Sequence, residues 1–316
     1  MKLGELYKKA VAAGIKADPR DQDEIDRRLG LEKDAFDESK ASERELFDED
    51  RLWNPYADTR VLVGELDQEV ASVLVGIDME TPEIVLADRL KERGEPIDLV
   101  LSHHPEGRAL AGLADVMQMQ SDIWAERGVP IGAGDLLIAE RMREVSRRLS
   151  PVNHSRAADA ARLLGLAFMS VHTPSDNLVT EYLQNMLDRE SPQTPGDILE
   201  LLAAEPEYRK AVADRSGPFL LTGDEKARTG KIHVEMTGGT EGPKEAIARL
   251  AAAGVGTMVG MHFDDKLKDE AEKAKLNVII AGHISSDSIG MNLLLDGIEE
   301  KDMKLLTASG MIRVRR

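Results

Sequence analysis

Short β-branched segments alternate with helical segments twice along the 316-residue chain, and this alternation constrains the fold more than any other feature. The first unit runs from Val73 to Leu101. Its middle carries Thr81 and Pro82 at the start and Gly94 just past the end, which predicts a helix between two strands. The second strand is apolar enough to be buried on both faces, as parallel sheets require. This pattern predicts an α/β fold.

The C-terminal third repeats the pattern. We predict strands and helices in turn at Lys231 to Met236, Lys244 to Ala253, Thr257 to His262, Lys266 to Lys275 and Asn277 to Ala281. Between the two units, the chain from Leu110 to Tyr208 is mainly helical in pattern, with a short strand at Ala167 to His172.

These segments predict two layered α/β lobes with mixed sheets. We place the first lobe, with its helical middle segment, at residues 57–215 and the second lobe at residues 216–316. Residues 1–56 are dense in charge and have apolar residues at helical spacing, which predicts a helical N-terminal extension. This extension either covers one edge of the core as a solvated pair of helices or docks on a partner subunit.

The composition limits the classes of partner. The formal net charge is -17, and binding to a phosphate backbone depends on Lys and Arg, so nucleic acid is a poor partner. The apolar runs fall far short of the roughly 20 residues that span a bilayer, and the N-terminus has no apolar signal segment. We therefore expect a soluble, cytoplasmic protein without membrane contact. Cysteine is absent, so any metal is bound through nitrogen and oxygen.

Histidine and aspartate cluster at the ends of predicted strands. The chain has 7 histidines, and several fall in three short segments, Ser102 to Pro105, His172 to Asp176 and Gly282 to Asp287. Strand ends are where ligands bind in α/β folds. One histidine at such a position can equally be a hydrogen-bonded core residue, but three clusters at equivalent positions favour a metal site.

Imidazole and carboxylate are ligands for zinc, iron, manganese or nickel where thiolate is missing. Adjacent residues of an extended segment point to opposite sides, and Pro105 favours extended backbone at His104. His103 and His104 are therefore better placed to contact two different ions than to chelate one. This favours a dinuclear site.

His283 and Asp287 form the last cluster. Ser285 or Ser286 can cap a helix that follows, and such a helix brings both side chains to one face at its first turn.

The other histidines are harder to assign. His154 precedes a predicted helix cap, His233 lies within a strand and His262 precedes a pair of aspartates, and we assign all three to structure. His172 shares a loop with Asp176. Its role stays open between a metal ligand, an acid/base group and a residue that orients a ligand.

A glycine-rich turn, Thr237, Gly238, Gly239 and Thr240, joins a predicted strand to a helix that starts with Pro243. Such turns present backbone N–H groups and the positive end of a helix to an anion. The pattern matches neither a dinucleotide fingerprint nor a Walker loop. It predicts either a phosphate seat near the metals or a tight turn that needs glycine for its backbone angles.

The order and spacing of several segments resemble the Nif-three-like (NGG-interacting-factor-three-like) proteins, also described as homologues of GTP cyclohydrolase type two. These segments are Asp58 to Gly64, Val75 to Asp78, Leu99 to Pro105, His172 to Asp176 and Gly282 to Asp287. The resemblance extends from about Asp58 to Leu295 and leaves the helical start outside.

The resemblance implies two divalent metal ions held by the adjacent histidines, the aspartate of the middle loop and the pair in the last segment, namely His103, His104, Asp176, His283 and Asp287. Asp287 departs from the family pattern, in which Glu is usual, and its side chain is one methylene shorter. The family also implies two α/β lobes and a homo-oligomer, commonly a ring-shaped hexamer.

Two functions fit these expectations. The first is a metal-dependent hydrolase of a small polar substrate, such as a nucleotide or a phosphorylated compound, in which His172 carries a proton. The second is a regulatory or interaction protein whose metals stabilise the fold without turnover. Structural metal sites are closed by protein ligands and catalytic sites keep positions open, so five ligands for two ions favour the hydrolase.

Overall fold

Strands and helices alternate through most of the chain. The computed structural model describes residues 1–300 and 302–316. The strands are β1 Arg60–Val63, β2 Ser72–Gly76, β3 Leu99–Ser102, β4 Ala167–Ser170, β5 Phe219–Thr222, β6 Lys231–Glu235, β7 Val255–Gly260, β8 Asn277–Ile280 and β9 Lys304–Ala308.

The helices are α1 Leu3–Lys16, α2 Gln22–Glu38, α3 Ala41–Arg44, α4 Thr81–Glu92, α5 Gly107–Ala111, α6 Leu113–Val116, α7 Met119–Glu126, α8 Ile131–Leu149, α9 Arg156–Leu163, α10 Thr173–Glu190, α11 Pro195–Ala204, α12 Pro206–Ala213, α13 Glu245–Ala252, α14 Asp265–Ala274 and α15 His283–Ile298. A 3₁₀ turn, Glu49–Leu52, precedes β1. Among the described residues, none of the helices has the length and apolar character that crossing a membrane demands.

The first sheet has the strand order β1-β4-β3-β2-β9. β1 is antiparallel to β4, and the other neighbouring strands are parallel. α4 joins β2 to β3, which pair with Val73 opposite Leu99, so the predicted β-α-β unit is confirmed. β3 is buried along its whole length, in agreement with its apolar sequence.

The second sheet has the strand order β5-β8-β7-β6. β6, β7 and β8 are parallel neighbours joined by α13 and α14, and β5 is antiparallel to β8. Both sheets are therefore mixed and carry helices. The predicted α/β class, with two layered lobes and helices at the N-terminus, is confirmed.

Both ends of the chain pack on the first sheet. Leu3, Leu6 and Tyr7 of α1 are buried in the same apolar core as Val73 and Leu101, so this helix is part of the core and not a solvated cover. α2 is more exposed and buries Ile25.

The last strand lies within residues 216–316 but pairs with the first sheet, where Ser72 lies opposite Lys304. It therefore ties the C-terminal segment to the first lobe. The division of the chain at residues 56 and 215 stays a prediction.

α10 and α15 pack against each other and connect the two cores. Met291 and Leu294 of α15 belong to the core of the first sheet, whereas Ile289 packs with Ile279 of the second sheet. The two helices approach closely where Gly290 of α15 faces the backbone of Ser175 at the start of α10.

We predict that this crossing tolerates no side chain at Gly290. A Cβ there would overlap the Ser175 backbone, so Gly290→Ala should lower the free energy of unfolding by about 1–3 kcal/mol. Gly297→Ala on the same helix is the matched control, because nothing lies within 4 Å of its added Cβ. That variant should gain up to about 1 kcal/mol from the better helix propensity of Ala. Urea unfolding measures both, and equal stabilities would contradict the tight crossing.

Candidate metal centre

The three His/Asp segments meet at the carboxyl ends of β3, β4 and β8. His103 and His104 follow β3 directly. His172 lies between β4 and the first residue of α10, and His283 is the first residue of α15. The predicted clustering at strand ends therefore holds for each segment.

α10 and α15 each bring a histidine and an aspartate to one face. Asp176 follows His172 and Asp287 follows His283, both at i,i+4 spacing, with 3.6 Å between the nearest imidazole nitrogen and carboxylate oxygen of each pair.

The predicted cap of α15 at Ser285 or Ser286 is wrong, because the helix begins earlier. Gly282 is the N-cap, with a φ of 109° that favours glycine. The hydroxyls of Ser285 and Ser286 instead donate to the carbonyl of Gly282 within the first turn.

A first group of possible ligand atoms is fully enclosed. Nε2 of His103 lies 3.5 Å from Oδ1 of Asp176 and 3.4 Å from Oδ1 of Asp287. All three side chains are buried.

A second group lies on the other oxygen of Asp287. Its Oδ2 is 3.4 Å from Nε2 of His104 and 3.6 Å from Nε2 of His283, and the two imidazole nitrogens are 3.2 Å apart. Asp287 therefore presents one oxygen to each group, with His103 at the first and His104 at the second. The atoms of both histidines also lie close enough to form a group with His172, so their contact with two different ions stays a prediction.

In His103, His104 and His172, the Nδ1 atom lies within hydrogen-bond distance of an oxygen. Nδ1 of His104 is 2.6 Å from Asp78, Nδ1 of His172 is 2.8 Å from Asp58, and Nδ1 of His103 is 3.3 Å from the carbonyl of Val171. Carboxylates and carbonyls only accept, so each Nδ1 carries the proton. When such an imidazole is neutral, the lone pair of its Nε2 is free, which is the arrangement of metal-binding histidines.

The central atoms lack partners. Nε2 of His103, Oδ1 of Asp176 and both carboxylate oxygens of Asp287 are buried without a hydrogen-bond partner among the described residues. Such buried groups cost about 1–3 kcal/mol each when unsatisfied, and more when charged. Imidazole and carboxylate donors fit a divalent cation, which would satisfy them.

The donor atoms are also close enough to share an ion. Three groups have their atoms within 4.8 Å of one another, namely His103 with His104 and His172, His104 with His283 and Asp287, and His103 with Asp176 and Asp287. This part of the chain could therefore hold a metal ion.

Burial and neighbouring charges set the protonation of the cluster. Burial lowers the pKa of His103 to about 4, so its imidazole is neutral. Burial opposes the ionisation of Asp287, but His103, His104 and His283 outweigh it and hold its pKa well below the usual range. Burial raises the pKa of Asp176 to about 8.

His172 lies in the cluster itself. Burial opposes its charge, yet Asp176 and Asp58 together raise its pKa to about 9. Its Nε2 belongs to a group of possible ligand atoms with His103 and His104. The geometry therefore fits a metal ligand as well as a group that holds a proton.

A cavity of about 370 Å³ opens beside the cluster and is lined by residues of both lobes, among them His104, Asp176 and His283. His262, which the sequence assigns to structure, also lines this cavity. Its ring centroid is 4.7 Å from that of His283, and its Nδ1 is 3.2 Å from Glu241. His262 stands two residues after the end of β7, so the strand-end signal was present but overlooked.

The glycine-rich turn lies on the cavity wall, where Thr237, Gly239 and Thr240 line the space. The side-chain amide of Gln120 donates to the carbonyls of Gly238 and Thr240 at 2.7 and 2.6 Å. Gly238 and Gly239 have φ values of 100° and 84°, which satisfies the alternative of a turn that needs glycine.

The helix after this turn starts later than predicted. α13 begins at Glu245 with Lys244 as its N-cap, so Pro243 precedes the helix. The carboxylates of Glu235 and Glu241 line the same cavity and disfavour an anion at the turn. Anion binding by this turn stays a prediction.

Several solved structures are similar to this chain. A NIF3 superfamily protein from Sphaerobacter thermophilus is 26% identical with a TM-score of 0.71, and the match covers 80% of this chain and 91% of that protein. Reduced HcgD from Methanocaldococcus jannaschii is 16% identical with a TM-score of 0.47, covering 85% and 97%. A Bacillus cereus protein related to NIF3 is 12% identical with a TM-score of 0.44, covering 79% and 91%. No family model matches the chain, and no curated protein matches it.

The Sphaerobacter thermophilus protein shares both the fold and about a quarter of the aligned residues over most of the two chains. The His/Asp segments of this chain independently resemble the same family. The chain is therefore similar in both sequence and fold to a NIF3 superfamily protein, and the predicted resemblance to the Nif-three-like proteins is confirmed.

Proposed function

We propose that this NIF3-like protein is a metal-dependent hydrolase of a small polar substrate. One divalent ion would lie against His103, Asp176 and one oxygen of Asp287, and a second against His104, His283 and the other oxygen. The observation that carries the proposal is the buried carboxylate of Asp287, whose two oxygens lack hydrogen-bond partners in the described part of the chain and face different histidines.

The donor set limits the metal. Nitrogen and oxygen donors without thiolate suit zinc, iron, manganese or nickel. Bound there, divalent ions supply Lewis acidity that polarises a carbonyl or phosphoryl group and lowers the pKa of water toward neutrality.

The surrounding residues would orient the imidazoles. Asp58 accepts from Nδ1 of His172 at 2.8 Å and from the hydroxyl of Thr173 at 2.6 Å, so its carboxylate is fixed in turn. Asp78 plays the same part for His104. Fixed imidazoles lower the cost of ordering the ligands when an ion binds.

For His172 we propose a proton-carrying role at Nε2. Asp58 holds the opposite ring nitrogen, which leaves Nε2 directed toward Asp176 at 3.6 Å. The same geometry supports a second role for His172, as an additional ligand of the ion beside His103 and Asp176. The metal content of a His172→Gln variant separates the two roles, because only the loss of a ligand should lower it.

Solvent access to the second ion position, beside His104 and His283, favours catalytic turnover over a purely structural role. The side chain of His283 is 40% exposed and that of His104 24% exposed, whereas Asp287 is fully buried. Catalytic metal sites keep such an open side, and structural sites are closed by protein. A homo-oligomer, a hexamer in particular, and a cytoplasmic location remain predictions.

The hydrolase proposal is tested by metal analysis and chelation. We expect about two ions per chain, and hydrolysis of amides, phosphoesters or nucleotides that is lost on chelation and restored by added metal. Bound metal without turnover on any of these compounds would favour the regulatory or interaction protein instead.

We predict that His103→Ala and His283→Ala each lose at least half of the bound metal. Each change deletes a neutral nitrogen donor that no cysteine can replace. His154→Ala is the control, since His154 does not line the cavity, and it should keep the wild-type content. Metal analysis of the three purified variants decides, and near-stoichiometric metal in both site variants would refute the assignment.

We predict that Asp287→Asn loses more metal than Asp287→Glu. Asn keeps the shape but removes the charge that neutralises the cations, whereas Glu keeps a carboxylate of the length usual in the family. Metal content per folded chain is the measurement, with thermal melting to check folding. Equal content in the two variants would argue against Asp287 as a ligand.

A further inference from the structure

The cavity wall beyond the candidate ligands is acidic. It is formed in part by five carboxylate residues, which we call the acidic wall: Asp78, Glu80, Glu106, Glu235 and Glu241. Within the described part of the chain, neither Lys nor Arg lines this cavity.

Both lobes contribute to the acidic wall. Asp78, Glu80 and Glu106 lie in the segments that follow β2 and β3, whereas Glu235 is the last residue of β6 and Glu241 follows the glycine-rich turn. Carboxylates from two separate sheets therefore face one space, which a single exposed acidic helix would not produce.

These carboxylates are not paired with Lys or Arg side chains in the described part of the chain. Asp78, Glu235 and Glu241 contact the histidines His104, His233 and His262. Across residues 1–300 and 302–316, Glu80 and Glu106 form no ion pair with Lys or Arg, although the charge of Arg156 acts on Glu106.

Elsewhere the chain pairs its carboxylates readily. Arg27 with Glu24 and Arg141 with Glu144 illustrate such pairs, at 2.6 and 2.7 Å. The cavity, by contrast, is lined by four histidines and, among the described residues, by neither Lys nor Arg.

Burial makes the lack of a cation costly. The side chains of Glu235 and Glu241 are only 19% and 15% exposed. Oε2 of Glu235 is buried without a hydrogen-bond partner in the described residues, and Nε2 of His233 lies 3.4 Å from it. Oδ1 of Asp176, on the same cavity, also lacks a partner, but it is one of the oxygens that the proposed ions would contact. Desolvated carboxylates that keep their charge require a positive partner.

The candidate ions do not supply all of that charge. Two divalent ions held with Asp176 and Asp287 keep a surplus of two positive charges, and a protonated His172 would add a third. Burial raises the pKa of Glu106 to about 7, so its charge is partial near neutral pH, but the other four carboxylates of the acidic wall still exceed three positive charges. A negative field would remain in the cavity, and such a field concentrates cations and repels anions.

We propose that the substrate carries an ammonium or guanidinium group, which lies against the acidic wall while its scissile group faces the ions. This inference rests on the proposed function and names the substrate class of that same site. It disfavours nucleotides and other phosphorylated compounds as substrates, because their phosphates would face the same carboxylates.

Three hydroxamates test the proposal, because all bind metal through the same group and differ at the other end. They are 4-aminobutanehydroxamic acid, butanehydroxamic acid and succinic monohydroxamic acid, which end in an ammonium, a methyl and a carboxylate. Calorimetric titration of the metal-loaded chain should give about tenfold tighter binding of the ammonium probe than of the methyl probe, and the weakest binding for the carboxylate probe. The preference should shrink as salt is raised, since salt screens charge.

The variant Glu106→Gln/Glu235→Gln, which removes two of the five carboxylates, should reduce the preference and keep the affinity for the methyl probe. Glu181→Gln, an exposed residue of α10 that does not line the cavity, is the matched control and should keep the preference. Melting temperatures establish that the variants are folded, and should the double variant unfold, each single change should reduce the preference by itself.

Failure of this inference is distinguishable from failure of the hydrolase proposal. Three results would overturn the charged-substrate inference and leave the metal site intact. They are equal binding of all three probes, a preference for the ammonium probe that the Glu→Gln changes do not reduce, and a third ion bound at the acidic wall. No metal in the purified chain, or no binding of the methyl probe to metal-loaded protein, would overturn both.

Discussion

The carboxylate of Asp287 is fully buried, and the groups that stabilise its charge come from different parts of the chain. His103 and His104 reach it from the end of β3, and His283 reaches it from the first turn of its own helix. Burial of a charge is costly unless such partners are held in place, so α15, α10 and β3 must pack in one arrangement. β9, which follows α15 and pairs with β2, helps to hold that arrangement because it returns the chain to the first sheet.

The charge of the cavity differs in character from the charge of the surface. The chain as a whole is acidic, and exposed carboxylates contribute mainly to solubility and to repulsion of other anions. In the cavity, Glu106, Glu235 and Glu241 are partly buried, and the local dielectric there is lower, so their interactions with charge are stronger. Charge selection and metal chemistry would then act on opposite ends of one substrate.

Residues that depend on local pattern could be predicted well. His103, His104, His172 and His283 were found because each closely follows an apolar strand, and parallel strands end at a common edge. The same rule overlooked His262, which stands two residues after β7, because the acidic residues that follow suggested a structural role. The start of α15 was misplaced because the serines resemble N-caps, whereas Gly282 with its positive φ begins the helix.

By itself, the sequence determined the α/β class and the two runs of alternating strands and helices, since strand and helix patterns act over a few residues. It did not predict β5 or β9, and the set of candidate ligands came from the family resemblance and stays a prediction. Only the tertiary structure decided which oxygen faces which imidazole and which carboxylates line the cavity. Asp58 and His172 are 114 residues apart, and His104 and His283 are 179 apart, yet each pair is in contact. Contacts at such separations depend on how the two sheets and the helices between them pack, and no local pattern of residues encodes that packing.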